Sequence, residues 1–256
     1  MTSEHQEHIL DQFTRQAVPF ATAAAIRNED ALNRIVQMAQ AGADDTILDV
    51  ACGPGLLACA FARVARHVTG IDLTPAMLEQ ARALQRQQGL ENLTWQEGDV
   101  LPLPYEDASF SIVSARFAFH HFLDPLAVLK EMRRVCRPGG RVVVADSAPA
   151  ANKADAFNRM ERLRDPSHVR ALSPEEHRAL FADAGLPEPR IQPDLAPGDV
   201  ESLLARSFPR QGDADRIRKM FADSLEHDDL GMAAVRTGGK ICFAFPTLIL
   251  ASTISE

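Results

Sequence analysis

The stretch that most constrains this chain is Ile47-Leu48-Asp49-Val50-Ala51-Cys52-Gly53-Pro54-Gly55. An apolar run meets an acidic residue and a glycine turn, and a helical pattern then runs from Leu56 to about Ala65. Glycine carries no Cβ, so such a turn can tighten and bring backbone close to a ligand. The helix that follows aims its unpaired N–H groups into the turn. Strand, glycine turn and helix in this order predict a nucleotide-type pocket at the carboxyl end of a first strand in an open α/β sheet.

Gly53-x-Gly55-x-x-Ala58 satisfies the dinucleotide fingerprint, and Asp72 follows about twenty residues on. An NAD-dependent oxidoreductase is therefore one reading. Asp49 opposes it. A pyrophosphate is anionic, and a carboxylate at the strand end repels it. A ligand carrying an ammonium group and a sulfonium centre is favoured instead.

Charge and composition narrow the classes further. A net charge of −8 argues against a nucleic-acid surface, which is normally basic. With 256 residues and 46% hydrophobic content, one domain with a full core is expected. No apolar run reaches the roughly eighteen residues that a transmembrane helix needs. The N-terminus lacks the apolar core of a signal peptide. Cys52, Cys59, Cys136 and Cys242 make neither a C-x-x-C pair nor a zinc spacing. A cytoplasmic protein with free thiols and no metal is expected.

The rest of the chain reads as alternating helices and strands. Residues 4–17 predict a helix with Ile9, Phe13 and Ala17 on one face, and residues 30–40 a second. Strands are predicted at 67–72, 92–97, 109–115 and 141–146, the last buried on both faces because of its valine run. Thr74-Pro75 and Ser173-Pro174-Glu175-Glu176 read as helix starts. Helices are expected at 126–136, 154–164, 200–207 and 215–225. A sixth strand is expected at 189–195 and a last one, antiparallel, at 241–252. Pro246 in that last strand predicts an edge, bulge or break. His120 and His121 leave the fourth strand at its carboxyl end, where an open sheet has its active face. Adjacent residues do not share a helix face, so the two should have different jobs.

Asp49-x-Ala51-Cys52-Gly53-x-Gly55, Gly70-Ile71-Asp72-Leu73-Thr74, Gly98-Asp99-Val100 and Arg137-Pro138-Gly139-Gly140 follow one another in the order seen in class I S-adenosylmethionine (SAM)-dependent methyltransferases. From about residue 10 to about 190 the chain resembles their small-molecule branch, methyltransferase type 11, which contains the ubiquinone/menaquinone-biosynthesis enzymes. The resemblance implies a Rossmann-like, doubly wound, seven-stranded mixed sheet, mostly parallel with the last strand antiparallel. It implies one domain: a helical cap (1–42), a SAM-binding core (43–150) and an acceptor-side segment (151–256).

It also implies roles. SAM would lie among Phe13, Asp49, Ala51, Gly53, Pro54, Gly55, Asp72, Leu73, Met77, Gly98, Asp99, Val100, Arg116 and Phe117. Asp72 would accept hydrogen bonds from two vicinal ribose hydroxyls, Asp99 would take the adenine amino group, and Met77 would pack on the ring. His120 is the expected base with Asp146 orienting it, and His121 packs or hydrogen-bonds beneath. Phe20, Asp165 and His168 are expected on the wall of a small-molecule acceptor. A SAM-binding module without transferase activity is the competing reading. An arsenic-methylating role is disfavoured, because the cysteines form no evident thiolate constellation.

Overall fold

The structure is a computed structural model that describes residues 3–22 and 27–255. Helix α1 (Ser3–Thr22) precedes α2 (Glu29–Met38), and then strands and helices alternate. They are β1 (Thr46–Val50), α3 (Leu56–Ala62), β2 (His67–Asp72), α4 (Pro75–Gln88), β3 (Leu93–Glu97) and β4 (Phe110–Arg116). A 3₁₀ turn (Phe119–His121) leads to α5 (Pro125–Val135), β5 (Cys136–Ser147), α6 (Ala154–Arg164) and α7 (Pro174–Asp183). The chain closes with β6 (Arg190–Asp199), α8 (Val200–Ala205), α9 (Asp213–His227), β7 (Val235–Thr237) and β8 (Lys240–Thr253).

Strands run in the order β3-β2-β1-β4-β5-β8-β6. The first five are parallel; β8 inserts antiparallel between β5 and β6. The expected mixed sheet is therefore present, with the short β7 added where β8 begins and turns at Gly238-Gly239. Pro246 sits where β8 leaves β5: Thr247 still pairs with Ser147, and before it β8 has no β5 partner. The missing N–H of the proline is thus placed at the end of a ladder.

Burial follows the two-residue period of the strands. Leu48, Val113, Val142, Val144 and Leu250 face one core with α5 and α7, while Ile47, Ile112, Val143 and Ile249 face another with α2 and α3. Val142, Val143 and Val144 are all fully buried, as a strand covered on both faces requires. A third apolar cluster lies apart from these two. Phe157 and Met160 of α6 meet Leu203 of α8, Phe221 of α9 and Phe243 of β8 there. The capping box at Ser173 forms as expected: the Ser173 hydroxyl accepts from Glu176 N–H, and the Glu176 carboxylate accepts from Ser173 N–H. Thr74 takes its cap position without a side-chain cap bond.

Order reverses between β1 and β4, so their carboxyl ends splay and open a crevice. Asp49, Asp72, Arg116 and Asp146 all lie at or near strand ends around it.

Candidate active site

Three of the five residues after β1 have positive φ: Ala51 (51°), Gly53 (52°) and Gly55 (76°). The two glycines do different work. A Cβ on Gly53 would meet nothing within 4 Å, and the residue lines an open cleft. A Cβ on Gly55 would come within 2.6 Å of the Trp95 ring and 2.9 Å of Ala81. Gly55 is thus required by packing behind the turn, and it does not line this cleft. This corrects the expectation that both glycines face the ligand. Gly98 is likewise behind the cleft, where a Cβ would crowd Ile71 at 3.2 Å.

The cleft has a volume of about 890 Å³. Among the expected cofactor residues, Phe13, Asp49, Ala51, Gly53, Pro54, Asp72, Leu73, Met77, Asp99, Val100, Arg116 and Phe117 line it. Its polar groups suit a cationic nucleoside and not a pyrophosphate. The amides that could cradle a phosphate are already engaged: Cys52 N–H donates to Ile71 O (3.0 Å), Gly53 N–H to Asp72 Oδ2 (2.7 Å) and Gly55 N–H to Cys52 O (3.1 Å). Three carboxylates face the space instead.

Asp49 is buried and accepts from Ser114 Oγ at 2.8 Å. Burial raises its pKa to about 7, against the Ser114 hydrogen bond and the Arg116 charge. Such a group is stabilised as an anion by any incoming cation. Burial also raises Asp72, whose second oxygen accepts from Thr74 N–H at 2.9 Å. Asp99 is held by Val100 N–H (2.6 Å), and its other oxygen accepts from Gln6 of α1 (2.7 Å). Phe117 has φ 53°, strained for a bulky residue, and the Arg116 guanidinium lies 4.5 Å from its ring centre.

A second cavity of about 680 Å³ adjoins the first; Phe20, Phe117 and His121 line both. His120 lines only the second. Its Nδ1 is 2.5 Å from Asp146 Oδ1, and Asp146 also accepts from Phe119 N–H (2.7 Å) and Ser147 N–H (2.6 Å). Burial by itself would depress His120, but the charge and hydrogen bond of Asp146 outweigh it and the net shift is upward. The same contact overcomes burial at Asp146 and holds its carboxyl below the usual range. A histidine oriented at one nitrogen by a buried carboxylate, with its ring on a cavity, is the arrangement of a general base.

His121 packs and hydrogen-bonds, as expected. It stands in the wall common to both cavities, with Nδ1 at 3.1 Å from Ser167 O and its ring edge-on to Phe13, centroids 4.9 Å apart. Burial, then the charge of His120, lowers its pKa to about 4, so it stays neutral. Asp165 lines the second cavity, with its oxygens bonded to Ser167 and Gln16. His168 lines neither cavity. It packs 5.4 Å from the His120 ring and bonds Asn158 Oδ1 at 2.7 Å, and burial holds it far below the ordinary histidine range. The expectation that it touches the acceptor is corrected: Asn158 of α6 draws it into the packing behind His120.

Helix α1 covers both spaces. Ile9, Phe13 and Phe20 line the cleft, His5 Nε2 bonds the His121 carbonyl (2.8 Å), and Gln12 donates to Ser207 O (2.8 Å). Sequence reasoning missed these polar anchors and the contributions of Glu161, Arg206 and Phe245 to the second cavity. No local pattern marks them, because each becomes a neighbour only through the tertiary fold. Among the described residues no group of three or more His, Cys, Asp or Glu could hold a metal ion, and no helix is long and apolar enough to cross a membrane.

Comparison with known proteins agrees with this geometry. The family described as "Methyltransferase domain" matches residues 48–144. YcgJ, an uncharacterized methyltransferase of Bacillus subtilis, is 33% identical over 76% of this chain and 78% of its own. Its crystal structure superposes with a TM-score of 0.81 at 27% identity, over 89% of this chain and 99% of that one. The 27-O-demethylrifamycin SV methyltransferase of Amycolatopsis mediterranei is 30% identical over 80% of this chain and 74% of its own. The demethylmenaquinone methyltransferase of Deinococcus radiodurans is 35% identical over 59% and 69%. The carboxylate-lined cleft and these likenesses together make the chain a member of the SAM-dependent methyltransferase family.

Proposed function

We propose that this enzyme methylates a hydroxyl oxygen or an acidic carbon of a small molecule seated in the second cavity. The observation that carries this reading is His120. Its Nδ1 is fixed on Asp146 at 2.5 Å, and its ring faces a cavity that meets the cofactor cleft at Phe20, Phe117 and His121. A neutral amine acceptor needs no base to become nucleophilic, whereas a hydroxyl or carbon acid does. An oriented base therefore favours oxygen or carbon over nitrogen. Of the relatives, the Amycolatopsis protein is named for an oxygen acceptor and the Deinococcus protein for a demethylmenaquinone.

SAM, when bound, supplies an electrophilic methyl on a cationic sulfur. Asp49 would hold the ammonium of its amino-acid tail, Asp72 the ribose hydroxyls and Asp99 the adenine amino group. Met77, Leu73, Val100 and Phe13 would close around the ring. Asp146 orients His120 and stabilises the imidazolium that forms when it accepts the proton of the acceptor. Helix α1 and Phe117 exclude water and hold the two reactants in line, and such alignment can supply ~7–11 kcal/mol of the barrier. The test is turnover of His120→Gln and His120→Ala beside titration with S-adenosylhomocysteine. Loss of turnover with intact binding is expected; full turnover by either variant removes the base role.

A further inference from the structure

The second cavity holds a cation that methyl transfer does not use. Arg206, just past the end of α8, lines it beside Phe20, Pro197, Leu203 and Phe245. Among the described residues its hydrogen bond is to the Ser202 carbonyl of its own helix, at 3.2 Å. The carboxylates around it are engaged elsewhere. Glu161 grips Arg164 through both oxygens, at 2.9 and 2.6 Å. Asp165 takes the Ser167 N–H and hydroxyl at 2.9 and 2.6 Å, and Gln16 at 3.4 Å. Asp146 is occupied by His120. Asp199 takes the Ser202 N–H and hydroxyl at 3.1 and 2.6 Å and lies 3.8 Å from Lys240. Among the described residues none of them forms an ion pair with Arg206.

Arg206 is half-buried, and a guanidinium partly withdrawn from water without a carboxylate partner is stabilised by an anion brought to it. Arg164 adds to the demand: after burial, its charge is the next influence that disfavours a second cation here. The planar fork of arginine matches a carboxylate in geometry as well as charge. Phe20, Pro197, Leu203 and Phe245 give the cavity an apolar side opposite its polar residues His120, Ser147, Glu161 and Asp165, so the anionic group would be attached to a body with an apolar face. One unpaired guanidinium matches a single negative charge, which a carboxylate carries and a phosphate monoester exceeds.

We propose that Arg206 anchors a carboxylate of the acceptor, so that the substrate class is hydroxylated or carbon-acidic carboxylic acids with an apolar body, the carboxylate on Arg206 and the reacting atom at His120. This rests on the methyl-transfer reading. The anchor would set which molecule is accepted, and the His120–Asp146 pair would set how fast it reacts.

The experiment is calorimetric titration of the enzyme saturated with S-adenosylhomocysteine. The ligands are p-hydroxybenzoate, p-coumarate and ω-hydroxylaurate, each beside its methyl ester, with p-hydroxyphenyl phosphate as the dianionic counterpart. Wild type should bind at least one acid about tenfold or more tightly than its ester. Arg206→Met should erase that preference and Arg206→Lys should keep part of it, with S-adenosylhomocysteine affinity unchanged in both. Equal binding of acids and esters, no binding of any acid, tighter binding of the phosphate than of the acids, or a preference surviving in Arg206→Met overturns the anchor. If the anchor fails while wild type still binds S-adenosylhomocysteine, the methyl-transfer reading stands. If wild type fails to bind S-adenosylhomocysteine, that reading falls first.

Discussion

The two cavities are walled by different kinds of structure. The cofactor cleft takes most of its lining from turns at the ends of β1, β2, β3 and β4, where two to four consecutive residues do the work, as in Ala51–Pro54 or Asp72–Thr74. The second cavity, where we place the acceptor, is assembled from single residues and pairs of α1, the turn after β4, β5, α6, β6, α8 and β8, brought together across most of the chain. The first is a property of backbone turns, and the second is a property of packing. The difference separates recognition of a constant ligand from recognition of a variable one, and it says where substitutions should act.

The largest effect is expected at His120, in the second cavity. His120→Ala should lower kcat by ~10²–10⁴-fold, the usual worth of a positioned base, while S-adenosylhomocysteine affinity stays within about threefold. Steady-state kinetics beside calorimetry reads both numbers. A parallel fall in both would dissolve the distinction between the cavities.

On the cofactor side, Asp72→Ala should weaken S-adenosylhomocysteine by ~10–100-fold, the range for a hydrogen bond to a charged group. It also releases the Gly53 and Thr74 amides that shape the turn. Equal affinity of the variant and wild type would contradict the ribose assignment. Gly55→Val should cost about 1–3 kcal/mol or more of stability, from positive φ and from collision with Trp95. Thermal unfolding checks this. Trp95→Ala, which removes the ring, should recover part of that loss.

pH sharpens the comparison because each cavity has its own titrating group. His120 must be neutral to accept a proton, and Asp146 raises it above its ordinary 6.5, so kcat should rise with pH through an inflection above that value. Asp146→Asn should move the inflection down, since burial then acts unopposed. In the cofactor cleft, Asp49 ionises at about 7, so S-adenosylhomocysteine affinity should rise through neutrality and binding should release a proton. The pair also contributes to stability. The raised His120 contribution is full below 6.5 and lost as pH climbs through its folded pKa. The depressed Asp146 contribution is full above 3.8 and lost as pH falls through its folded pKa. Unfolding by denaturant across that range should show both edges. The smallest effect is at Gln6: Gln6→Ala frees the Asp99 oxygen it occupies and should change S-adenosylhomocysteine affinity by only about twofold to fivefold.

The same division explains what the sequence made legible. The alternation of strands and helices and the strand-end carboxylates Asp49, Asp72 and Asp99 could be read because a turn or strand end fixes each from its immediate neighbours, while the His120–Asp146 pairing, 26 residues apart, came only from the family resemblance. Gly55 was read as ligand-facing because the sequence cannot show Trp95 arriving beneath it from β3. His168 was read as an acceptor contact because Asn158, ten residues earlier in α6, leaves no local sign that it captures the ring. Arg206 was invisible for the same reason: its setting is made by β6, β8 and α1, and nothing within α8 specifies it.

The most direct measurement is calorimetric titration of S-adenosylhomocysteine into wild type, Asp72→Ala and His120→Gln, with NAD as the competing ligand. The account predicts equal affinity for wild type and His120→Gln, clear weakening in Asp72→Ala, and no binding of NAD. Binding of NAD with no response to Asp72, or loss of nucleoside binding when only His120 is changed, would contradict it.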